Sequence, residues 1–208
     1  MPESDPRNLK LIGGSLCLDF TNTVDCRNSD HQGEILSTYP NLVIWSQHAK
    51  ILTEDEAQAL LRAATLHVTD AKIVLERAIT MREALYRICS GIANRRPPAA
   101  TDIEVLNAEL SAAMAKMRLK PAAAANSWTY TFEGRELDRM LWPVIRSTAE
   151  LLTSDKLDRI CECQGDNCGW LFLDMSRNRS RRWCDMKDCG NRAKARRHYQ
   201  MTRVDHSR

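Results

Sequence analysis

The sequence predicts a mainly α-helical protein: a helical N-terminal domain with a short strand or hairpin over residues 1–155, then a small hairpin-then-helix module over 156–208. Three observations carry that reading. Apolar residues recur at steps of three and four through the middle of the chain. Proline and capping signals cut this pattern into helix-sized pieces, and four cysteines fall in two evenly spaced pairs near the C-terminus.

Residues 11–24, LIGGSLCLDFTNTV, open on a Gly-Gly turn and lead into a short helix or extended segment. Residues 25–39 are polar and aperiodic and read as a loop. Pro40 stands where a first helical residue would, which predicts a short helix over 40–49. Thr53 and Glu56 have capping-box spacing and start a helix running to about residue 67. From 70 to 93, Val74, Ala78, Met81, Leu85, Ile88 and Ile92 share one helical face, and Arg95-Arg96-Pro97-Pro98 ends that helix. Thr101 and Glu104 repeat the capping-box spacing and predict a helix to about 118. The Ala-rich stretch 122–125 carries no clear signal. Trp128, Tyr130 and Phe132 alternate with small polar residues, the period of a half-buried strand. Leu141, Val144, Ile145, Thr148, Leu151 and Leu152 describe another amphipathic helix, with Pro143 near its start.

The composition suits a globular chain, and no run of about 18 apolar residues predicts a membrane span. The first ten residues lack the basic start and apolar core of a signal peptide, so a cytoplasmic location is expected. The net charge of +3 hides an asymmetry. Residues 176–208 hold eleven Lys/Arg against three Asp/Glu, so the tail carries +8 on a body of −5. Such clustering suggests a polyanionic partner.

Of eight cysteines, Cys17, Cys26 and Cys89 are scattered, and five lie between 161 and 189. In a reducing compartment this density argues for metal over disulfides. Cys163, Cys168, Cys184 and Cys189 form C-x4-C, fifteen residues, C-x4-C, and two such pairs supply the four tetrahedral ligands of Zn2+. Cys161 and Cys163 could both fill the first position, and pair symmetry favours Cys163. A module this small would draw on the order of 10 kcal/mol of its folding energy from the metal. Residues 170–173 and 181–183 read as two strands joined through 174–180, and a helix follows Cys189. Replacing Cys184 with Ser is expected to release zinc and unfold only the tail.

Arg177, Arg179, Arg181 and Arg182 crowd the hairpin, and Arg192, Lys194, Arg196 and Arg197 crowd the following helix. Arginine pairs bidentately with phosphate and with guanine edges, so these eight are the candidate DNA-binding residues. Asn191 reads as a helix cap.

The run Cys189-Gly190-Asn191-Arg192, preceded by FLDMSRNRSRRWC, resembles the signature of the bacterial CGNR zinc-finger family. GGSLCLDFTNTV, with Leu18-Asp19-Phe20 and Asn22-Thr23, is similar to the opening of the ABATE domain that precedes the finger there, and Leu141-Trp142 and Leu151-Leu152 also fit. The resemblance covers nearly the whole chain. It implies a stress-induced transcriptional regulator whose zinc ligands are Cys163, Cys168, Cys184 and Cys189, with Cys161 just outside the motif.

In the body, Asp19, Asn22 and Thr23 are the candidate lining of a small-molecule pocket, although residues of these types commonly serve caps and turns. Asp25, His31 and Glu34 are irregularly spaced for a second metal. No nucleophile elbow, phosphate loop or His-Glu helix motif is present, so no enzyme is expected. The leading expectation is a zinc-dependent DNA-binding transcriptional regulator, nucleoid-associated in the cytoplasm, with a body that senses a small effector or forms a homodimer. The alternative is an adaptor whose basic module docks an acidic protein.

Overall fold

The computed structural model describes residues 5–124 and 126–205, with side chains for all of these except at 198 and 202–205. A 3-10 turn over Pro6–Asn8 precedes the short helix α1 (Leu16–Thr21). The segment read as a loop contains a minimal antiparallel pair, β1 (Val24–Asp25) with β2 (Gly33–Glu34). Thr38 caps α2 (Tyr39–His48) by accepting the Asn41 N–H. Thr53 and Glu56 close a reciprocal capping box on α3 (Glu54–Leu66). The long apolar pattern becomes α4 (Val68–Ala93), where Val74, Ala78, Met81, Leu85 and Ile88 are buried.

The next cap differs from expectation. Behind Pro97-Pro98 the backbone of Ala99 is extended and α5 (Ala100–Lys116) starts at Ala100, so Thr101 lies inside the first turn and caps nothing. Asp102 in that turn is buried and takes the Arg87 guanidinium at 2.5 Å. The chain leaves α5 early because β3 (Met117–Pro121) pairs with β4 (Trp128–Phe132), Leu119 opposite Tyr130. The expected half-buried face of this strand is largely in solvent: Trp128 is 70% exposed and Leu119 72%. Its base packs, Phe132 against Trp142 at 5.9 Å between ring centroids, and Tyr130 lies under the Arg146 guanidinium at 4.4 Å. The helix α6 (Leu141–Leu152) then buries Leu141, Trp142, Val144, Ile145, Thr148 and Leu151.

The core forms where α4 meets α1, α2, α3 and α5, and where α6 closes against α1 and α5. One buried group escaped the sequence reading. Arg82 on α4 is 2% exposed and donates to both Glu34 oxygens at 2.7 and 2.6 Å, to Glu83 at 2.8 Å and to Thr23 Oγ1 at 3.2 Å. Arg27 completes the network through Glu83 and the Thr21 carbonyl, lying 4.0 Å over the Tyr86 ring. A buried guanidinium is tolerable only with such partners.

After a 3-10 turn over Leu157–Arg159, β5 (Ile160–Glu162) pairs antiparallel with β6 (Leu171–Leu173), Glu162 opposite Leu171. The expected pairing of 170–173 with 181–183 is therefore corrected. Asp174 is buried and accepts the amides of Ser176 and Arg181, each at 2.9 Å, which closes 174–181 into a loop and takes the Arg181 amide away from any ladder. A wide turn over Met186–Gly190 leads into α7 (Asn191–Asp205). Among the described residues no helix is long and apolar enough to cross a membrane.

Candidate metal centre

Cys163 follows β5 directly, and its N–H donates to the Trp170 carbonyl at 2.8 Å. The ladder thus extends one rung into a tight loop that brings Cys168 back beside Cys163. A Cβ at Gly165 in that loop would stand 3.0 Å from Cys189 Sγ and 3.2 Å from Cys189 Cβ, so a side chain there would push the two loops apart by a few tenths of an ångström. The second loop runs from Cys184 to Cys189 and is held at its start, where Asp185 accepts the Lys187 amide at 2.8 Å. Arg181 supports it from below. Its guanidinium donates to the Trp183 carbonyl at 3.0 Å and to the Cys184 carbonyl, and lies 4.2 Å over the Phe172 ring.

The four Sγ atoms of Cys163, Cys168, Cys184 and Cys189 all lie within 4.8 Å of one another and are buried. Cys168 to Cys184 and Cys184 to Cys189 are each 3.6 Å. Four sulfurs at about 2.3 Å from one zinc stand roughly 3.8 Å apart at the corners of a tetrahedron, so the cluster fits the ion. Cys163 Sγ accepts the amides of Gly165 and Cys184 at 3.4 and 3.3 Å, and Arg192 donates to Cys189 Sγ at 3.2 Å.

The titration of the bare thiols explains why a cation belongs there. Hydrogen bonds from Cys168 and Cys184, then the two amides, pull Cys163 below the usual thiol range. Hydrogen bonding to Cys163, ahead of burial, pushes Cys168 and Cys184 upward. Thiolates packed this closely repel one another, and a divalent cation among them removes that conflict. Four thiolates fill the coordination shell, which is the arrangement of a structural site rather than a catalytic one with an open position. Cys161 sits on β5 outside the cluster, and among the described residues no other group of three or more His, Cys, Asp or Glu converges. Glu34 is taken up by Arg82 instead.

The three polar residues proposed for a pocket lie elsewhere. Asn22 is fully buried and bonds to both backbone groups of Leu171, its amide donating to the carbonyl and its Oδ1 accepting the N–H, each at 2.8 Å. Thr23 donates to the Phe20 carbonyl at 2.8 Å, and Asp19 accepts the Gly13 amide at 2.8 Å. All three make backbone bonds in the segment 13–23, and those of Asn22 cross to β6 behind the first metal loop. Further bonds join the N-terminal segment to the finger: Leu173 N–H to Gly13 O at 2.8 Å, Trp170 Nε1 to Val24 O at 2.9 Å, and Arg27 N–H to Cys168 O at 3.0 Å.

The eight basic candidates separate into two sets. Arg181 holds carbonyls, Arg192 holds Cys189, Arg179 pairs with Asp158 and Arg196 with Asp166. Arg177, Arg182, Lys194 and Arg197 are exposed.

Residues 14–155 match the family model named ABATE, described as "Putative stress-induced transcription regulator", and residues 159–201 match that of the CGNR zinc finger. No curated protein matches the chain.

Proposed function

The chain belongs to the ABATE family and carries a CGNR zinc finger, and from that premise we propose that it is a zinc-dependent DNA-binding transcription regulator. The observation behind the reading is the placement of four exposed cations that pair with no carboxylate among the described residues. Arg177 stands on the loop that Asp174 closes and Arg182 just beyond it, with Lys194 and Arg197 on the helix leaving the second metal loop. Zinc would hold loop and helix to one scaffold, so the four backbone positions are fixed before binding and only the exposed side chains remain to be ordered, at about 0.5–1.5 kcal/mol each. Arg181 and Arg192 serve the scaffold, and Arg179 and Arg196 would exchange a surface carboxylate for a phosphate.

The test is binding of the zinc-loaded chain to mixed-sequence duplex DNA across a salt series. The logarithm of the affinity should fall linearly with the logarithm of salt, by about 0.9 for each phosphate neutralised. A Gln substitution at Arg182 or Lys194 should flatten that slope by about one contact. Affinity that ignores salt would overturn the reading. The adaptor reading has its own support, since Arg179 and Arg196 already bind carboxylates at the finger surface. A stable complex with an acidic protein, in a chain that binds no DNA, would favour it.

A further inference from the structure

The fold uses the backbone of Arg95 and Arg96 and makes little use of their side chains. At the end of α4 the Arg96 N–H donates to the Gly91 carbonyl at 2.7 Å and the Arg95 N–H to the Ile92 carbonyl at 3.1 Å. This closure needs a left-handed residue just after the cap Asn94, and Arg95 supplies it with φ 56°. Glycine is the usual residue there, and the next is commonly apolar and packs back on the last turn. Here both positions are arginine, both are exposed, and neither pairs with a carboxylate among the described residues. Arg96 makes one long bond, to the Ser90 hydroxyl at 3.4 Å. A cation complements the dipole of a helix end, but any residue in the last turn could do that without a strained backbone.

These side chains adjoin the finger. Arg96 lines an open depression with Asn94 and Glu162, and the same two residues line a second one, of about 290 Å³, together with Cys163, Gln164 and Arg182. The Arg182 carbonyl accepts the Gln164 N–H at 3.0 Å, which ties that cation's backbone to the first metal loop. Along the two depressions Arg96, Arg181 and Arg182 are cationic and Glu162 is the sole carboxylate. Glu162 accepts from the neutral donors Ser90 at 2.8 Å and Asn94 at 3.0 Å. With Arg95 beside them, the strip keeps a positive surplus that runs from the finger to the end of α4.

Resting on the DNA reading above, we infer that the DNA-binding surface continues from the finger onto the body, with Arg95 and Arg96 as further phosphate contacts. A phosphate backbone is a continuous line of charge, so a strip of cations fits it better than one cluster does. Arginine suits the role because its planar fork takes phosphate oxygens in pairs. The α4 closure and the proline pair fix one end of the strip, and the metal loop fixes the other. Their separation is therefore set before binding, and a bound duplex bridges body and finger.

The experiment measures fluorescence anisotropy of a labelled mixed-sequence duplex with the zinc-loaded full chain across a salt series. Arg95→Gly and Arg96→Gln should each lower the salt slope by about 0.9, as Arg182→Gln does within the finger. Arg95→Gly should also keep a denaturant midpoint no lower than the parent's, since glycine relieves the left-handed backbone. A lower midpoint with an unchanged slope would assign the arginine to the helix end and overturn the inference. The unaltered chain gives a second measurement, phenylglyoxal modification read by mass spectrometry. Bound duplex should slow modification of Arg95 and Arg96 along with Arg182, and leave the exposed Arg62 on α3 reactive. Shielding and slope changes confined to Arg182 would limit the surface to the finger and overturn the inference while the DNA reading stands. A parent affinity that ignores salt would overturn the DNA reading itself, before any variant is compared.

Discussion

Asp19 and the neighbouring arginines Arg181 and Arg182 show how surroundings set the role of a charged side chain. Burial pushes the Asp19 carboxyl up to about 6, against the opposing hydrogen bond from the Gly13 amide. A carboxyl raised in the folded state holds a proton that the unfolded chain has already lost at the same pH. Stability therefore falls as pH rises from about 4 to about 6 and stays lower above it. Asp19→Asn keeps an acceptor for Gly13 and removes the buried charge. It should flatten that part of the pH profile and stabilise the chain at pH 7 by on the order of 2 kcal/mol, as read from denaturant midpoints at each pH. An unchanged profile would count against the buried charge. Arg181→Ala should cost about 2 kcal/mol, because two carbonyls lose their donor and Phe172 its cover. Arg182→Ala should leave stability within about 0.5 kcal/mol and show its effect in polyanion affinity instead. If the neighbouring substitutions behaved alike, the division between scaffold and contact residues would fail.

Among the elements, helices were legible and strand partners were not. The stripe from Val74 to Ile88 is a local property of the chain, and the α4 face follows it because side chains three and four apart must share a side. Thr53 caps because its backbone is free to be extended, whereas Thr101 follows Pro97-Pro98 and Ala99, which have already set the helix start. Residues 170–173 were recognisable as a strand, but their partner depended on Asp174 closing the loop beyond them. No spacing rule reports a buried carboxylate that captures two amides. Both cysteine pairs were legible because metal ligation restricts residue type as well as spacing. The contribution of α1 was hidden, since Asn22 has the composition of a turn residue yet acts as a rung beside β6. Asn22→Ala should cost about 2–3 kcal/mol by leaving both backbone groups of Leu171 buried and unpaired. Asn22→Asp should also destabilise, since it keeps the acceptor and loses the donor. Equal stability of Asn22→Ala and the parent would show that the edge of β6 is satisfied in some other way.

For the molecule as a whole, these bonds change what zinc removal should do. Read from spacing alone, the finger is an appendage whose loss affects the tail. In the structure the loop between Cys163 and Cys168 presents its carbonyls to the body: Cys168 O accepts the Arg27 amide at 3.0 Å and Asn167 O the Asn28 amide at 3.3 Å. Arg27 is itself part of the buried network with Glu83, which is shared with Arg82 and through it with Glu34. Without the metal, the four thiols cannot hold that loop closed, and residues 22–28 lose the partners that order them. Hydrogen exchange should thus accelerate at Arg27, Asn28 and Leu171 in the Cys184→Ser chain, or on chelation. Amides in the centre of α4 depend on helix–helix packing and should remain protected. Because α1 and β6 lie against this same core, the midpoint of global unfolding should fall as well, by more than the loss of an independent tail would cause. Exchange that speeds up only beyond residue 160, with Arg27 and Asn28 unaffected, would mean that the body orders this segment without the finger.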